Sequence, residues 1–250
     1  MDSTSEHLVF FLRSHIVFLQ AISLDFGGTL AFERPSRATI YAEAARSRGL
    51  AVTDQEMGEM MSRVHQELPQ SIDGAFRYTD PWFRRFIERI FHSLLELPAP
   101  ELHSLELELF SRFSDPATYR LQPGASELPD RLRAEGLRVG VGSNWSGHLP
   151  RLLVGLELAE CFDFVVSSGL EAVEKPDPAF FQLVAERAGV PIGNLLHAGN
   201  DAVLDGAARS AGARAILVDG LGRTLGDLPV VRDLEQLGDE ILRLAAEGRT

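Results

Sequence analysis

The chain has 250 residues, 45% of them hydrophobic and 24% charged, with a formal net charge of −12. That size suits one sizeable domain or a core with an inserted subdomain, and the acidic balance argues against a nucleic-acid partner, which needs a basic face. The single cysteine, Cys161, excludes an intrachain disulfide and a cysteine-based zinc cluster, and makes a reducing cytoplasm the natural compartment.

Residues 1–17 read as an N-terminal extension. HLVFFLRSHIVFL is apolar but interrupted and too short to span a bilayer, and the preceding MDSTSEH is acidic, unlike a secretory leader, so no membrane partner is expected. The first strand is predicted over VFLQAISLDF (17–26), running into LDFGGTL (24–30). Four helical patterns follow, ATIYAEAARSRG, TDQEMGEMMSRVHQEL, PWFRRFIERIFHSLLEL and APELHSLELELFSRF, each with apolar residues at three- and four-residue spacing. Thr53 to Glu56 has the form of a capping box, and Trp82 and Phe83 are expected to pack inside this segment. Beyond it the period changes. Apolar runs at LRVGVGS (137–143), FDFVVSS (162–168), LLHAGN (195–200) and ARAILVD (213–219) alternate with helical stretches ASELPDRLRAEG, LPRLLVGLELAE, PAFFQLVAERAG and DGAARSAG. Cys161, ahead of the third run, reads as a small buried apolar group.

This alternation predicts an α/β fold with a doubly wound parallel sheet. The core comprises 18–31 and 119–250, and a helical cap spans 32–118. The insertion leaves the sheet beside Asp25, where open α/β folds bind ligands. Asp25, Ser143, Asn144, Lys175 (in EKPDPAFF), Asn200, Asp201 and Asp205 all fall at or after carboxyl ends of predicted strands. A carboxylate, a hydroxyl, an ammonium and further acids converge there, which suits a phosphate or a metal. Lys175 is the only lysine among 24 Lys and Arg residues. A compact three-donor ammonium is not interchangeable with a planar guanidinium, so a role at this one position is weighed against chance retention. His148 and His197 flank the same loops and read as hydrogen-bonded structural histidines, with a replacement base as the sharper alternative. Trp145 lies near the substrate or fills the cap interface. Glu33 reads as a solvated loop carboxylate, with a surrogate acid as the alternative.

The order LDFGGTL, VGSN, KPDP, HAGNDAVLD resembles the four motifs of the haloacid dehalogenase superfamily, over about residues 18–220, and the insertion matches that family's helical cap. The resemblance implies that Asp25 is a nucleophile forming an aspartyl ester. Ser143 and the Asn144 amide would hold phosphoryl oxygens, and Lys175 would neutralise charge on the nucleophile and the transferred group. It also implies Mg²⁺, held by Asp25, the Gly27 carbonyl and groups among Asn200, Asp201 and Asp205, and a small phosphorylated molecule as substrate. Two departures stand out. Gly27 replaces the aspartate that phosphatases of the family use as acid and base, and Asn200 follows Gly199 where an acid is usual, so that either Asn200 takes the acid's place or Asp201 does with the turn shifted by one residue. Three readings follow, in order: a slow Mg²⁺-dependent phosphatase, a binding protein without efficient turnover, and a metal-free dehalogenase whose substrate carboxylate would meet Arg34 or Arg37. Phosphonate cleavage through a cap lysine is closed, because the insertion contains no lysine.

Overall fold

The computed structural model describes residues 18–219 and 227–247. The reading of residues 1–17, and the start of the first predicted strand at Val17, lie outside them. In chain order the elements are β1 (Ala21–Leu24), β2 (Ala31–Glu33), α1 (Arg37–Arg46), α2 (Asp54–Glu67), β3 (Ser71–Ile72), β4 (Ala75–Phe76), α3 (Asp80–Glu88), α4 (Ala99–Ser114), β5 (Tyr119–Leu121) and α5 (Glu127–Ala134). They continue with β6 (Arg138–Ser143), α6 (Leu149–Gly155), β7 (Phe164–Ser167), α7 (Ser168–Glu171), α8 (Pro178–Ala188), β8 (Leu195–Gly199), β9 (Arg214–Val218), β10 (Val230–Val231) and α9 (Leu234–Glu247).

Six strands form one sheet in the order β10-β9-β8-β1-β6-β7, every pair parallel. β1 sits inside, with Leu24 level with Val141 of β6 and Ala198 of β8. Its four residues are all buried, as expected of a parallel strand covered by helices on both faces. One face packs Ile22, Leu24 and Val139 against Leu128, Leu132, Leu237 and Ile241, and the other packs Val166 and Leu195 against Phe180, Phe181 and Val184. Because all strands run one way, every strand-to-helix loop opens on the same edge, which gathers the motif residues into one crevice.

The segment between β1 and β5 folds around its own apolar cluster, including Ile40, Met57, Trp82, Phe86, Phe91 and Leu105. Trp82 is fully buried and stacks on Phe86 at 5.6 Å between ring centroids, while Phe83 is only partly buried at the edge of this cluster. The capping box forms: the Glu56 amide donates to Thr53 Oγ1 at 3.2 Å, and the Thr53 amide donates to Glu56 Oε2 at 2.8 Å. β2 pairs antiparallel with β5, Ala31 opposite Leu121 and Glu33 opposite Tyr119, so the chain leaves the sheet and returns at one place.

Several predicted elements change form. The helix begun at Asp80 passes into a π-helical turn over Arg89–Leu94, where a uniform helix was expected. DGAARSAG makes only a 3₁₀ turn, Gly206–Arg209, cut short by Gly212 at φ 96°. The paired strands β2–β5 and β3–β4, two or three residues each, are too short for a period-two pattern to show. Cys161 is half-buried rather than buried. Among the described residues, no helix is long and apolar enough to cross a membrane.

Candidate active site

β1 ends at Leu24, and the Asp25 amide donates to the Ala198 carbonyl at 2.8 Å, which ties the strand tip to β8. The next two glycines have different causes. Gly28 has φ +83°, and a Cβ there would stand 2.7 Å from Asn200 Nδ2, so both backbone and space demand glycine. Gly27 lies outside the left-handed region, yet a Cβ on it would stand 2.8 Å from Cζ3 of Trp145. Its glycine makes room for an indole. Thr29 is buried and its hydroxyl donates to Asn200 Oδ1 at 3.3 Å.

Lys175 arrives from the loop before α8 and is 3% exposed. Its ammonium donates to Asp25 Oδ1 at 2.7 Å and to Asp205 Oδ1 at 2.5 Å. Its backbone is clamped by one side chain: Asn144 Nδ2 donates to the Lys175 carbonyl at 2.9 Å, and the Lys175 amide donates to Asn144 Oδ1 at 2.8 Å. Asp205 also meets His197 Nε2 at 3.0 Å, and the Asp201 amide donates to its second oxygen at 2.8 Å. His197 is wholly buried, with Nδ1 3.1 Å from Ser23 Oγ, so it is a structural partner of Asp205.

Two carboxylates thus share one ammonium away from water. Burial is the largest influence on both and opposes ionisation; Lys175 opposes burial at both, and His197 joins Lys175 in favouring the charged form of Asp205. The balance leaves Asp205 below the usual carboxylate range and Asp25 above it, the Asp205 charge adding to the burial of Asp25. Burial alone would lower the Lys175 pKa, but its two acidic partners raise it. The sign for stability follows. Asp205 binds fewer protons folded than unfolded, so its contribution is complete above its ordinary value of 3.8 and is lost as pH falls below it. Thermal melts of the parent and Asp205→Asn should therefore differ most above about pH 4 and converge under more acid conditions.

A cavity of about 520 Å³ opens over Asp25, Gly27, Ser143, Asn144, Asn200 and Asp201. Lys175 and Asp205, both expected at the ligand, do not line it; they lie buried with Asp25. Ser143 is 1% exposed. Residues of the insertion complete the walls, largely aromatic: Tyr41, Tyr78, Phe83, Phe110 and Phe113, with His65 and Arg37. Arg37 lines the cavity; Arg34 does not. The Arg37 guanidinium lies over Trp145 at 5.2 Å and Phe113 at 5.5 Å, and its Nε donates to Glu33 Oε1 at 2.9 Å. Glu33 is therefore an ion-paired wall residue and not a solvated loop acid. Burial pushes the Tyr41 and Tyr78 hydroxyls up to about 12 and lowers His65, also near Arg77 and Arg37, to about 4. His148 lines the cavity and pairs with Asp80 Oδ1 at 3.0 Å.

One contact escaped the sequence reading. Glu174, next to Lys175, accepts from Gln70 Nε2 at 2.9 Å and Arg77 Nη1 at 3.1 Å, tying the insertion to the loop that carries the ammonium. Its only sequence signal was an acid beside the lone lysine.

A family model described as haloacid dehalogenase-like hydrolase matches residues 19–212. The chain belongs to the haloacid dehalogenase-like hydrolases. It is 28% identical to haloacid dehalogenase-like hydrolase domain-containing protein 3 of Bos taurus, over 83% of this chain and 84% of that one. It is 34% identical to a phosphoserine phosphatase of Thermus thermophilus, over 80% and 89%. A solved phosphatase of this family from Thermococcus onnurineus superposes with a TM-score of 0.63 at 21% identity, over 89% of this chain and 98% of that one, a likeness of fold.

Phosphatases of this family generally use Mg²⁺, so the donors here bear on it. Among the described residues, no three His, Cys, Asp or Glu side chains cluster as metal ligands. Asp201 Oδ1 accepts from the Val203 and Leu204 amides at 2.8 and 2.9 Å, and both Asp205 oxygens are taken. Asp25, the Gly27 carbonyl, the second oxygen of Asp201 and Asn200 Oδ1, which also accepts from Thr29, are the donors left on residues that line the cavity. That set fits Mg²⁺ in its sparse form, in which one or two carboxylates and substrate phosphoryl oxygens share the ion with water.

Proposed function

We propose that this hydrolase is a slow, Mg²⁺-assisted phosphatase that acts through an aspartyl intermediate on a small phosphorylated molecule. The observation that carries the reading is the buried Lys175 ammonium 2.7 Å from Asp25 Oδ1, which orients one carboxylate at the cavity and leaves its other oxygen to react. The helical segment 32–118 acts as a cap. Asp25 attacks phosphorus while the bond to the leaving oxygen breaks, and the Ser143 hydroxyl and Asn144 amide hold the phosphoryl oxygens. Asp25, the Gly27 carbonyl and Asn200 or Asp201 would hold the ion, whose chemistry is to offset charge on the phosphoryl group. The phosphatase-named relative supports this reading.

Phosphate release from p-nitrophenyl phosphate and acetyl phosphate, measured against Mg²⁺, tests it. Turnover should be slow and should saturate only at about millimolar Mg²⁺ or above, because so few charged ligands hold the ion weakly. No phosphate release at any Mg²⁺ concentration would remove the proposal. The cation at the cavity wall, Arg37, favours a second reading, a dehalogenase that binds its substrate's carboxylate there. Halide release from a 2-haloacid without Mg²⁺ would select that reading instead.

A further inference from the structure

Trp145 is held unusually firmly for a residue on a loop. Its amide donates to Ser168 Oγ at 3.0 Å, and its carbonyl accepts from Ser167 Oγ at 2.9 Å and the Gly169 amide at 2.9 Å. Its ring meets the edge of Phe26 at 4.9 Å and carries the Arg37 guanidinium at 5.2 Å. A side chain at position 27, two residues from Asp25, would meet this ring, whose Cζ3 would stand 2.8 Å from its Cβ. The backbone of Gly27 would accept such a side chain; the indole excludes it.

The other titratable groups that line the cavity are tied to partners or held away from neutrality. The Tyr41 and Tyr78 hydroxyls are held near 12 and His65 near 4, so none of the three is poised to exchange a proton near neutrality. The Tyr119 hydroxyl donates to the Phe113 carbonyl at 3.0 Å, Glu33 pairs with Arg37, His148 with Asp80, and Asp201 Oδ1 accepts from the Val203 and Leu204 amides.

Resting on the phosphatase reading above, we infer that Trp145 is a specificity-determining residue. Its indole, seated against Gly27, walls the cavity beside Asp25 with carbon. The site then takes phosphoryl groups from donors whose leaving group departs unprotonated, acyl and aryl phosphates, and holds the phosphoryl group on Asp25. In the first step an Asp25 oxygen bonds to phosphorus, and the leaving oxygen departs with its electron pair as an anion. In the second, a water oxygen bonds to phosphorus, the bond to Asp25 breaks, its carboxylate regains the charge, and the water's proton passes to solvent. With no base beside it, the second step is the slow one.

The test follows a series of aryl phosphates of rising leaving-group pKa, together with intact-mass spectrometry of the protein mixed with acetyl phosphate in Mg²⁺ buffer. The parent should release about one equivalent of phenol per site in a burst, carry one phosphoryl group by mass, and slow steeply along the series. Gly27→Asp alone should gain nothing, because the ring blocks its side chain. Gly27→Asp with Trp145→Ala should lose the burst, flatten the series, and raise steady turnover of the poorest leaving group at least about tenfold, within the roughly 10²–10⁴ of acid-base groups. His148→Asn should leave the decay of the phosphoryl adduct unchanged.

A folded double variant, judged by its melt, that keeps the parent's burst and steep series overturns the inference and leaves the phosphatase reading standing. So does an adduct whose decay collapses in His148→Asn. If neither adduct nor product forms in any variant with any donor, the phosphatase reading fails and takes this inference with it.

Discussion

Asp25→Asn is expected to abolish adduct formation and to lower turnover by about 10⁴-fold or more, the scale of losing a nucleophile. A carboxamide oxygen does not attack phosphorus or carbon as a carboxylate does. The fold should survive intact. The carboxamide oxygen of the variant can still accept from Lys175, and Asp205 keeps its ion pair at 2.5 Å. Burial already disfavours the charged form of Asp25, so removing that charge from a pair of carboxylates sharing one cation carries no stability penalty. A thermal melt equal to or above the parent's, with activity gone, is the expected pair of results. A melt well below the parent's would mean that the charge of Asp25 holds the fold, and activity within tenfold of the parent would mean that Asp25 is not the nucleophile.

The largest stability effect is expected at Lys175. Lys175→Ala leaves Asp25 and Asp205 facing each other in a buried place with no ammonium between them. Removing one partner of a buried ionic group costs about 3–5 kcal/mol, on the order of 10 °C in melting temperature for a domain of this size. Lys175→Arg should not restore the parent. A planar guanidinium does not place one nitrogen 2.7 Å from Asp25 and 2.5 Å from Asp205 in a slot only 3% exposed. Two further measurements separate electrostatics from lost packing. Adding Asp205→Asn to Lys175→Ala should recover part of the loss, and the deficit should shrink from pH 7 to pH 5, because stranded buried carboxylates take up protons more readily. A deficit independent of both would make Lys175 a packing residue.

The strands were legible in the chain because a parallel strand buried on both faces is a short continuous apolar run. AISL, RVGVGS, FVVS, LLHAG and RAILV all lie within the predicted spans. The convergence of Asp25, Ser143, Asn144 and Asn200 on one crevice followed as well, since parallel strands put all their carboxyl ends on one edge. The C-terminal helix α9 went unread, although Leu234, Leu237 and Ile241 repeat at helical spacing and pack on the sheet.

What the side chains do in the crevice was decided by contacts between residues far apart in sequence, which no local pattern records. Lys175 meets Asp25 from 150 residues away and holds Asp205 with it, so an acid expected among the Mg²⁺ ligands is buried and bonded to protein donors. Arg77 reaches Glu174 across 97 residues. Gly27 shows the difference most plainly. In sequence it is a turn glycine or a missing acid; in the structure its backbone is ordinary, and the indole of Trp145 requires it. A residue's chemistry is written at its own position, but the volume left to it is set by whichever distant side chain packs against it.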